Sequence, residues 1–261
     1  KRARSQNVVY AEVFFDPQAH TTRGIPFGAF IEGFHRAQRD AAASLGLRSQ
    51  LIMCFLRDLS PDSAIETLEQ SLPYKDRIVG VGLDSNEKDN PPIKFKDVFA
   101  RARSEGYRLT MHCDVDQVNS VEHIWQCLSD IGVERIDHGV NSVEDEDLVK
   151  EINRRGLGLT VCPISNRYVT GDLKGREIKA MLERGMQVTI NSDDPAYFPG
   201  YMNENLIAVH ATADLTRDEI VQLGKNAFTI TWLAEQDRNR YLDVLENYVA
   251  QSGMDEQPGS G

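Results

Sequence analysis

The sequence has too little positive charge for a protein that binds nucleic acid. Its 261 residues include 29 lysines and arginines against 40 aspartates and glutamates, which gives a formal net charge of −11. A nucleic-acid partner requires a basic face, and this composition does not supply one. We therefore expect no nucleic-acid partner, and a small neutral ligand fits the charge better.

Long apolar runs and paired cysteines are also missing. No run approaches the roughly 20 apolar residues of a membrane span, and the first six residues, KRARSQ, lack the apolar centre of a signal peptide. The four cysteines contain no Cys-x-x-Cys pair, which argues against a cysteine zinc site and against a disulfide framework. We expect a cytoplasmic protein with no membrane partner.

The remaining composition fits one large domain. Hydrophobic residues make up 41% of the chain and charged residues 26%, enough for a sizeable core. We predict a single domain over residues 1–250. Residues 251–261 are poor in apolar side chains and rich in glycine, so we expect a tail that is disordered or vector-derived.

Strand-like and helix-like segments alternate along the chain. The pattern predicts strands at residues 8–15, 51–56, 78–83, 107–112, 135–139, 158–162 and 187–190. Helical spacing lies between them at residues 27–45, 62–72, 95–104, 121–128, 142–156 and 174–184, and after the last strand at residues 203–248. One of these helices is expected to start at Ser142, where Ser-x-x-Asp resembles a capping box, and to end at Gly156.

This alternation, without hairpin signals, predicts a parallel α/β sheet. A doubly wound sheet and a (β/α)₈ barrel both remain possible. A doubly wound sheet would be expected to carry a glycine-rich phosphate turn after its first strand, whereas here polar residues follow nearly every strand. We favour the TIM-type barrel. A closed barrel needs eight strands and only seven are found, so the first β/α unit is expected to be absent from this chain.

Three strand ends carry residues suited to chemistry. Asp193 and Asp194 follow the last strand, His112 ends the fourth, and Asp137 and His138 end the fifth. Adjacent carboxylates at a strand end point in different directions, so one can hold a metal while the other meets a ligand. Each feature also has a simpler explanation: a solvated Asp-Asp-Pro turn, a hydrogen-bonded core histidine, or a buried Asp-His pair. Their joint occurrence favours one shared site.

Four motifs bring a family resemblance. The chain contains MHCD at 111–114, RIDHG at 135–139, VCPISN at 161–166 and NSDDP at 191–195. In order and spacing they resemble the adenosine and adenine deaminases of the amidohydrolase superfamily. The segments YAEVFFDP at 10–17, GVGLDS at 80–85 and PAYF at 195–198 are more similar to the adenine-deaminase branch. The other class of zinc deaminases, with His-x-Glu and Pro-Cys-x-x-Cys, is not supported.

The resemblance implies a site and a reaction. It assigns His112 and Asp193 as ligands of one Zn²⁺ per complete subunit, a donor set that zinc accepts. It makes His138 a catalytic residue that handles a proton beside the activated water, and it directs Asp194 to a ring nitrogen of the substrate. The implied substrate is a small-molecule aminopurine, and the implied product is ammonia.

The chain departs from the family pattern in two places. No His-x-His pair occurs, so we expect a missing N-terminal segment of the complete protein to supply the first strand and two further ligands. The family Glu that follows the fifth-strand histidine by three residues is Val115 here. Asp114, Asp116 or no residue replaces it. We favour Asp114 as the catalytic substitute, because strand alternation places it on the same side as His112.

Three functions therefore remain open from the sequence. The first is a zinc-dependent hydrolytic deaminase of adenine or a related 6-aminopurine. The second is an amidohydrolase-fold enzyme acting on a different amino-heterocycle, since the residue that handles the ring proton has changed. The third is a catalytically silent purine-binding homologue. The sequence indicates neither the substrate nor the oligomeric state.

Overall fold

The computed structural model describes residues 1–113 and 115–254. Within this part of the chain, seven strands form one parallel sheet in the order β1 to β7, each hydrogen-bonded to the next. The strands are β1 (Tyr10–Phe15), β2 (Arg48–Leu56), β3 (Ile78–Asp84), β4 (Arg108–Cys113), β5 (Arg135–His138), β6 (Gly158–Val161) and β7 (Gln187–Ile190).

Helices connect the strands. They are α1 (Arg2–Ser5), α2 (Gln18–Thr21), α3 (Phe27–Leu45), α4 (Pro61–Ser71), α5 (Lys96–Ser104), α6 (Ser120–Gln126), α7 (Glu146–Arg155), α8 (Pro163–Thr170), α9 (Gly175–Glu183), α10 (Met202–Ala213), α11 (Arg217–Thr229) and α12 (Glu235–Met254). Shorter 3₁₀ turns occupy Leu72–Arg77, Pro92–Phe95 and Val140–Glu144, and a π turn occupies Cys127–Ile131. No described helix is long and apolar enough to cross a bilayer.

The sheet curls without closing on itself. Consecutive strands pair in parallel register from Tyr10↔Arg48 to Val161↔Ile190, and among the described residues no pairing joins β7 to β1. The architecture is a TIM-type barrel that lacks one β/α unit, as the sequence predicts. In such a barrel the carboxyl ends of all the strands lie on one face, where active sites form.

The amino ends of the strands are closed by the residues that follow α11. A Cβ at Gly80 would lie 2.5 Å from the Trp232 ring, and one at Gly158 would lie 2.6 Å from Ile230. Only glycine therefore allows these side chains to rest against the strands. The main-chain N–H of Trp232 also donates to Glu12 Oε1 at 2.7 Å. This end of the barrel is filled by Ile230 and Trp232 together with the buried ion pair of Glu12 and Arg135, whose guanidinium lies 4.2 Å from the centre of the Trp232 ring.

The core lies between the sheet and its helices. Consecutive side chains of the central strands are fully buried, as Ile52, Met53, Cys54 and Phe55 of β2 show. The helices cover the outer face of the sheet through apolar stripes spaced three and four residues apart, such as Leu148 and Ile152 on α7. Burying both faces of a parallel sheet accounts for the nearly continuous apolar composition of its strands.

Three local predictions need correction. The predicted capping box at Ser142 is wrong: Asp145 caps α7, and its Oδ1 accepts from the N–H groups of Asp147 and Leu148. Pro163 starts helix α8 as well as ending β6, because its missing N–H is not needed in a first helical turn. Helix α12 continues to Met254, so residues 251–254 are helical, and the rest of the predicted tail, 255–261, lies outside the described residues.

Candidate active site

His112 lies at the carboxyl face, one residue before the end of β4. Its ring contacts Phe14 of β1 edge-on at 5.3 Å and the His138 ring at 5.2 Å between centroids. Its Nδ1 makes no hydrogen bond to any described residue. The sequence prediction that the ends of β4 and β5 share a site is consistent with this geometry.

His138 is the last residue of β5 and has a left-handed backbone, with φ of 60°. This conformation is costly for a residue with a side chain, and such residues concentrate at functional sites. The His138 ring is buried, and its Nδ1 lies 3.1 Å from Oδ1 of Asn166. When Nδ1–H donates to this amide oxygen, the lone pair is on Nε2, which lies 3.9 Å from Asp193 Oδ2.

Asp193 follows β7 and is also left-handed, with φ of 53°. One ligand atom from each of His138, Cys162 and Asp193 falls within a mutual distance of 4.8 Å. Asp193 thus lies among metal-ligating groups at the face where it was expected. The compact group includes His138, which the family resemblance places beside the metal, and it does not include His112.

Cys162 is a poor candidate for the metal. Burial, followed by the negative charges of Asp193 and Asp137, raises the pKa of its thiol well above the usual value. Only the thiolate binds metal strongly, and this thiol is aimed at the Thr160 carbonyl at 3.6 Å. Imidazole and carboxylate donors are the better set. His112 and Asp193 offer an imidazole and a carboxylate at this face, the two donor types that zinc accepts.

Asp137 lies beside His112 on the neighbouring strand. Its Oδ2 accepts from the Thr110 hydroxyl at 2.6 Å, and its Oδ1 accepts from the Thr160 hydroxyl at 2.8 Å. The same carboxylate lies 3.6 Å from His112 Nδ1 and 3.7 Å from Arg135 Nε. The two threonine hydroxyls fix the orientation of the Asp137 carboxylate, which lies beside His112.

Asp194 lies beside these groups in a half-buried position. Burial raises the pKa of its carboxyl group, and the charges of Asp193 and Asp16 add to this rise, while His112 and His138 oppose it. Its main-chain carbonyl accepts from the N–H groups of Tyr197 and Phe198, each at 2.9 Å. The turn after β7 is thereby fixed, and it presents a carboxyl group that can exchange a hydrogen bond with a ligand.

A second acidic group, which the sequence analysis did not single out, lies at the ends of β1 to β3. Ligand atoms of Asp16, Cys54 and Asp84 fall within 4.8 Å of one another. Burial and the neighbouring Asp16 raise the pKa of Asp84 well above its usual value. Two carboxyl groups this close share a proton readily. Both aspartates lie in segments that carry the family resemblance, Asp16 in YAEVFFDP and Asp84 in GVGLDS, but the sequence analysis gave neither of them a role.

The loop after β4 contains the position where the family has Glu. Val115 there is 3% exposed and belongs to the hydrophobic core. Asp116 accepts from the buried Lys174 ammonium at 2.6 Å and from Asn141 Nδ2 at 3.2 Å. Asp116 is therefore engaged with other side chains. Asp114, the predicted substitute, lies outside the described residues, and its role stays a prediction.

Comparison with known proteins agrees with this architecture. A parallel β/α barrel with imidazole and carboxylate groups at its carboxyl face is consistent with a hydrolase of the amidohydrolase type. The sequence profile of the family described as adenosine deaminase matches residues 1–248. The chain belongs to this family, and the resemblance stated from its motifs is confirmed.

Individual relatives add detail. The chain is 53% identical over 251 residues to an uncharacterized deaminase of Schizosaccharomyces pombe, covering 96% of this chain and 74% of that protein. It is 46% identical over 250 residues to an adenine deaminase of Chlorobium phaeobacteroides, covering 95% of this chain and 74% of the relative. The crystal structure of an adenine deaminase from Arthrobacter aurescens superposes with a TM-score of 0.90 at 35% identity, over 95% of this chain and 76% of that one.

Proposed function

We propose that this protein is a zinc-dependent hydrolytic deaminase of adenine or a related 6-aminopurine. The observation that carries the proposal is the meeting of His112, His138 and Asp193 at three strand ends, with Asp194 beside them. The named relatives, two of which are adenine deaminases, support the same substrate class. The reaction would add water to the amino-bearing ring carbon, break the C–N bond and release ammonia.

His112 and Asp193 are the residues of this chain that would hold the ion. Zinc in such a site supplies Lewis-acid activation of water. His138 would move the proton, because its Nε2 faces Asp193 while Asn166 holds Nδ1. A general base must lie within hydrogen-bond reach of the proton that it takes, so His138 would take the proton through Nε2, the ring nitrogen on the Asp193 side.

Asp194 would bind the substrate. Its raised pKa allows the carboxyl group to hold a proton more readily than an ordinary aspartate does, so it can donate to or accept from a ring nitrogen. The left-handed residue before it, Asp193, turns the chain so that the two adjacent carboxylates are not aligned along a regular strand. One would face the ion and the other the purine.

A second function is favoured by Val115. Its burial in the core removes a carboxylate from the place where the family keeps one, which supports an enzyme for a different amino-heterocycle or a silent homologue. We still favour the deaminase, because Asp114 can replace the family Glu. Strand alternation predicts that Asp114 lies on the same side as His112.

The test is ammonia release by the full-length protein with measured zinc content. A panel should include adenine, N6-substituted adenines, adenosine and aminopterins. We expect the fastest release from adenine or another 6-aminopurine base. Release only from pterins would establish the second function. Tight purine binding without ammonia release from any compound would establish the silent homologue and overturn the proposal.

A further inference from the structure

A fully buried arginine lies behind the candidate metal ligand. Arg57 directly follows β2, and its side chain is 0% exposed. Its Nη1 donates to Glu87 Oε1 at 2.8 Å and to the main-chain carbonyl of His112 at 2.8 Å, and its Nε donates to the Asn90 carbonyl at 3.0 Å. Burying a guanidinium is expensive unless it is paired and hydrogen-bonded. These three hydrogen bonds engage Nη1 and Nε, whereas Nη2 has no hydrogen bond to a described residue.

The strand that carries His112 has no ladder partner on one side at this point. Pairing between β3 and β4 covers Gly80↔Arg108 and Val81↔Leu109 in the described residues, and it stops three residues before His112. Pairing with β5 continues to Cys113. The metal-ligand end of β4 is therefore held by a sheet neighbour on the β5 side alone.

The direction of the His112 carbonyl follows from the neighbouring hydrogen bonds. The carbonyls of Leu109 and Cys113 accept from the two residues that flank β5, through the N–H groups of Glu134 before the strand and Gly139 after it. Carbonyls alternate in direction along a strand, so the carbonyl of His112 points the other way, towards β3. Arg57 supplies the donor that the β3–β4 ladder does not.

We infer that Arg57 is a positioning residue for the metal ligand His112. The inference rests on the proposed metal-dependent function. Glu87 and the Asn90 carbonyl fix the guanidinium, and the guanidinium in turn fixes the peptide plane immediately after His112. The planar fork of arginine can serve several acceptors in set directions, whereas the compact ammonium of lysine cannot. Asp137 orients the His112 ring, and Arg57 orients its main chain.

The test removes the whole ion pair, so that no uncompensated charge stays buried. Full-length protein carrying Arg57→Met and Glu87→Met is compared with wild type after loading with Co²⁺. The matched control carries Arg77→Met and Glu32→Met, which remove an Arg–Glu pair of 2.6 Å at the outer surface. Three quantities are measured: the visible absorption of bound Co²⁺, the rate of metal loss to a chelator, and kcat and KM separately.

For the Arg57 and Glu87 variant we expect an altered cobalt spectrum and metal affinity weakened by about 10- to 100-fold, the effect of removing a residue that orients a metal ligand. We expect kcat to fall more than KM changes, and the control pair to behave as wild type. If the double variant fails to fold, Arg57→Lys replaces it, since it keeps a cation beside Glu87. It should show the same changes in weaker form.

The possible outcomes distinguish a failure of the role inferred for Arg57 from a failure of the proposed metal-dependent function. A folded variant with the wild-type cobalt spectrum and the wild-type rate of metal loss overturns the role of Arg57 and leaves the proposed function intact. A wild-type protein that retains neither Co²⁺ nor Zn²⁺ refutes the metal-dependent function and the inference together. Lower thermal stability with an unchanged spectrum in the folded fraction identifies a purely structural ion pair, which also overturns the inference.

Discussion

Nδ1 of His112 lies 3.6 Å from Oδ2 of Asp137, and the two residues are direct partners in the β4–β5 ladder. Paired residues of neighbouring strands project to the same face of a sheet, so the contact follows from the register. Because two threonine hydroxyls hold the carboxylate of Asp137, this anion is fixed before any ligand arrives. A metal-binding histidine generally needs such a partner to set its tautomer and ring orientation.

Asp137→Asn should therefore weaken metal binding without abolishing it. The amide is uncharged, and the loss of an anion beside a histidine ligand typically costs about 10- to 100-fold in metal affinity. Competition with a chromogenic chelator measures the change. Asp147→Asn, at a solvent-exposed carboxylate on α7, is the matched control and should have no effect. Equal zinc affinity in the two variants would refute an orienting role for Asp137.

His112→Ala should abolish metal retention in the full-length protein, because a methyl group replaces an imidazole ligand. Zinc content per subunit after gel filtration is the measurement. His35→Ala on the outer helix α3 is the control and should keep wild-type zinc. Unchanged zinc in the His112 variant would make the compact group of His138, Cys162 and Asp193 the better candidate for the site.

His138→Asn should lower the rate and leave zinc content and melting temperature near the wild-type values. A general acid or base contributes about 10²- to 10⁴-fold, and the loss of kcat should fall in that range. Steady-state kinetics with zinc analysis on the same samples tests this. Loss of zinc together with activity would show that His138 is itself a ligand, as its 3.9 Å approach to Asp193 permits.

Asp194→Asn should weaken purine binding while zinc remains bound. A hydrogen bond to a charged group contributes about 1.5 to 3 kcal/mol, which corresponds to roughly 10- to 100-fold in affinity. Calorimetric titration with a non-reactive purine measures the effect. If this variant binds purine normally while His138→Asn does not, the roles proposed for the two residues are exchanged.

The Asp116–Lys174 contact should make stability depend on acid pH. Burial opposes ionisation of Asp116, but hydrogen bonds from Lys174 and Asn141 outweigh it and lower the pKa of its carboxyl group. A carboxyl whose pKa is lower in the folded state stabilises the protein above its unfolded pKa, about 3.9, and this contribution disappears as the pH falls through the folded value. Lys174→Met should therefore reduce the loss of stability below about pH 4.

Urea unfolding at a series of pH values measures this effect. Lys150→Met is the control, since Lys150 pairs with Asp147 on the surface, where solvent weakens the interaction. An identical acid dependence in Lys174→Met and wild type would show that the contact does not contribute. The same variant should also loosen the loop after β4, which proteolysis near pH 7 can detect.

The strands and the polar residues at their ends were predictable from the sequence, because both depend on local patterns. Each predicted strand has a counterpart in the structure, and helix α3 has the predicted bounds, Phe27–Leu45. The partners of the site residues were not predictable. Arg57 reaches His112 across 55 positions of the chain, and its sequence neighbourhood gives no sign of this contact.

Asn166 lies in a motif that was recognised in the sequence, but its contact with His138 was not predicted. The sequence placed it inside VCPISN without giving it a task, whereas the structure buries it, 1% exposed, against His138. Helix α8 was missed for a related reason. Proline ends a strand and also starts a helix, and the next residues alone do not decide between a loop and a helix.

The residues that fill the amino ends of the strands, among them Ile230 and Trp232, stabilise the barrel at the end opposite to the candidate active site. Residues at the amino end fill the interior, whereas residues of the loops at the carboxyl end can change without disturbing that packing. A lineage can therefore replace a glutamate by Val115 and rebuild the following loop without losing the fold that carries His112 and Asp193. New substrates would arise by substitution at the carboxyl end, while Gly80 and Gly158 tolerate almost no replacement.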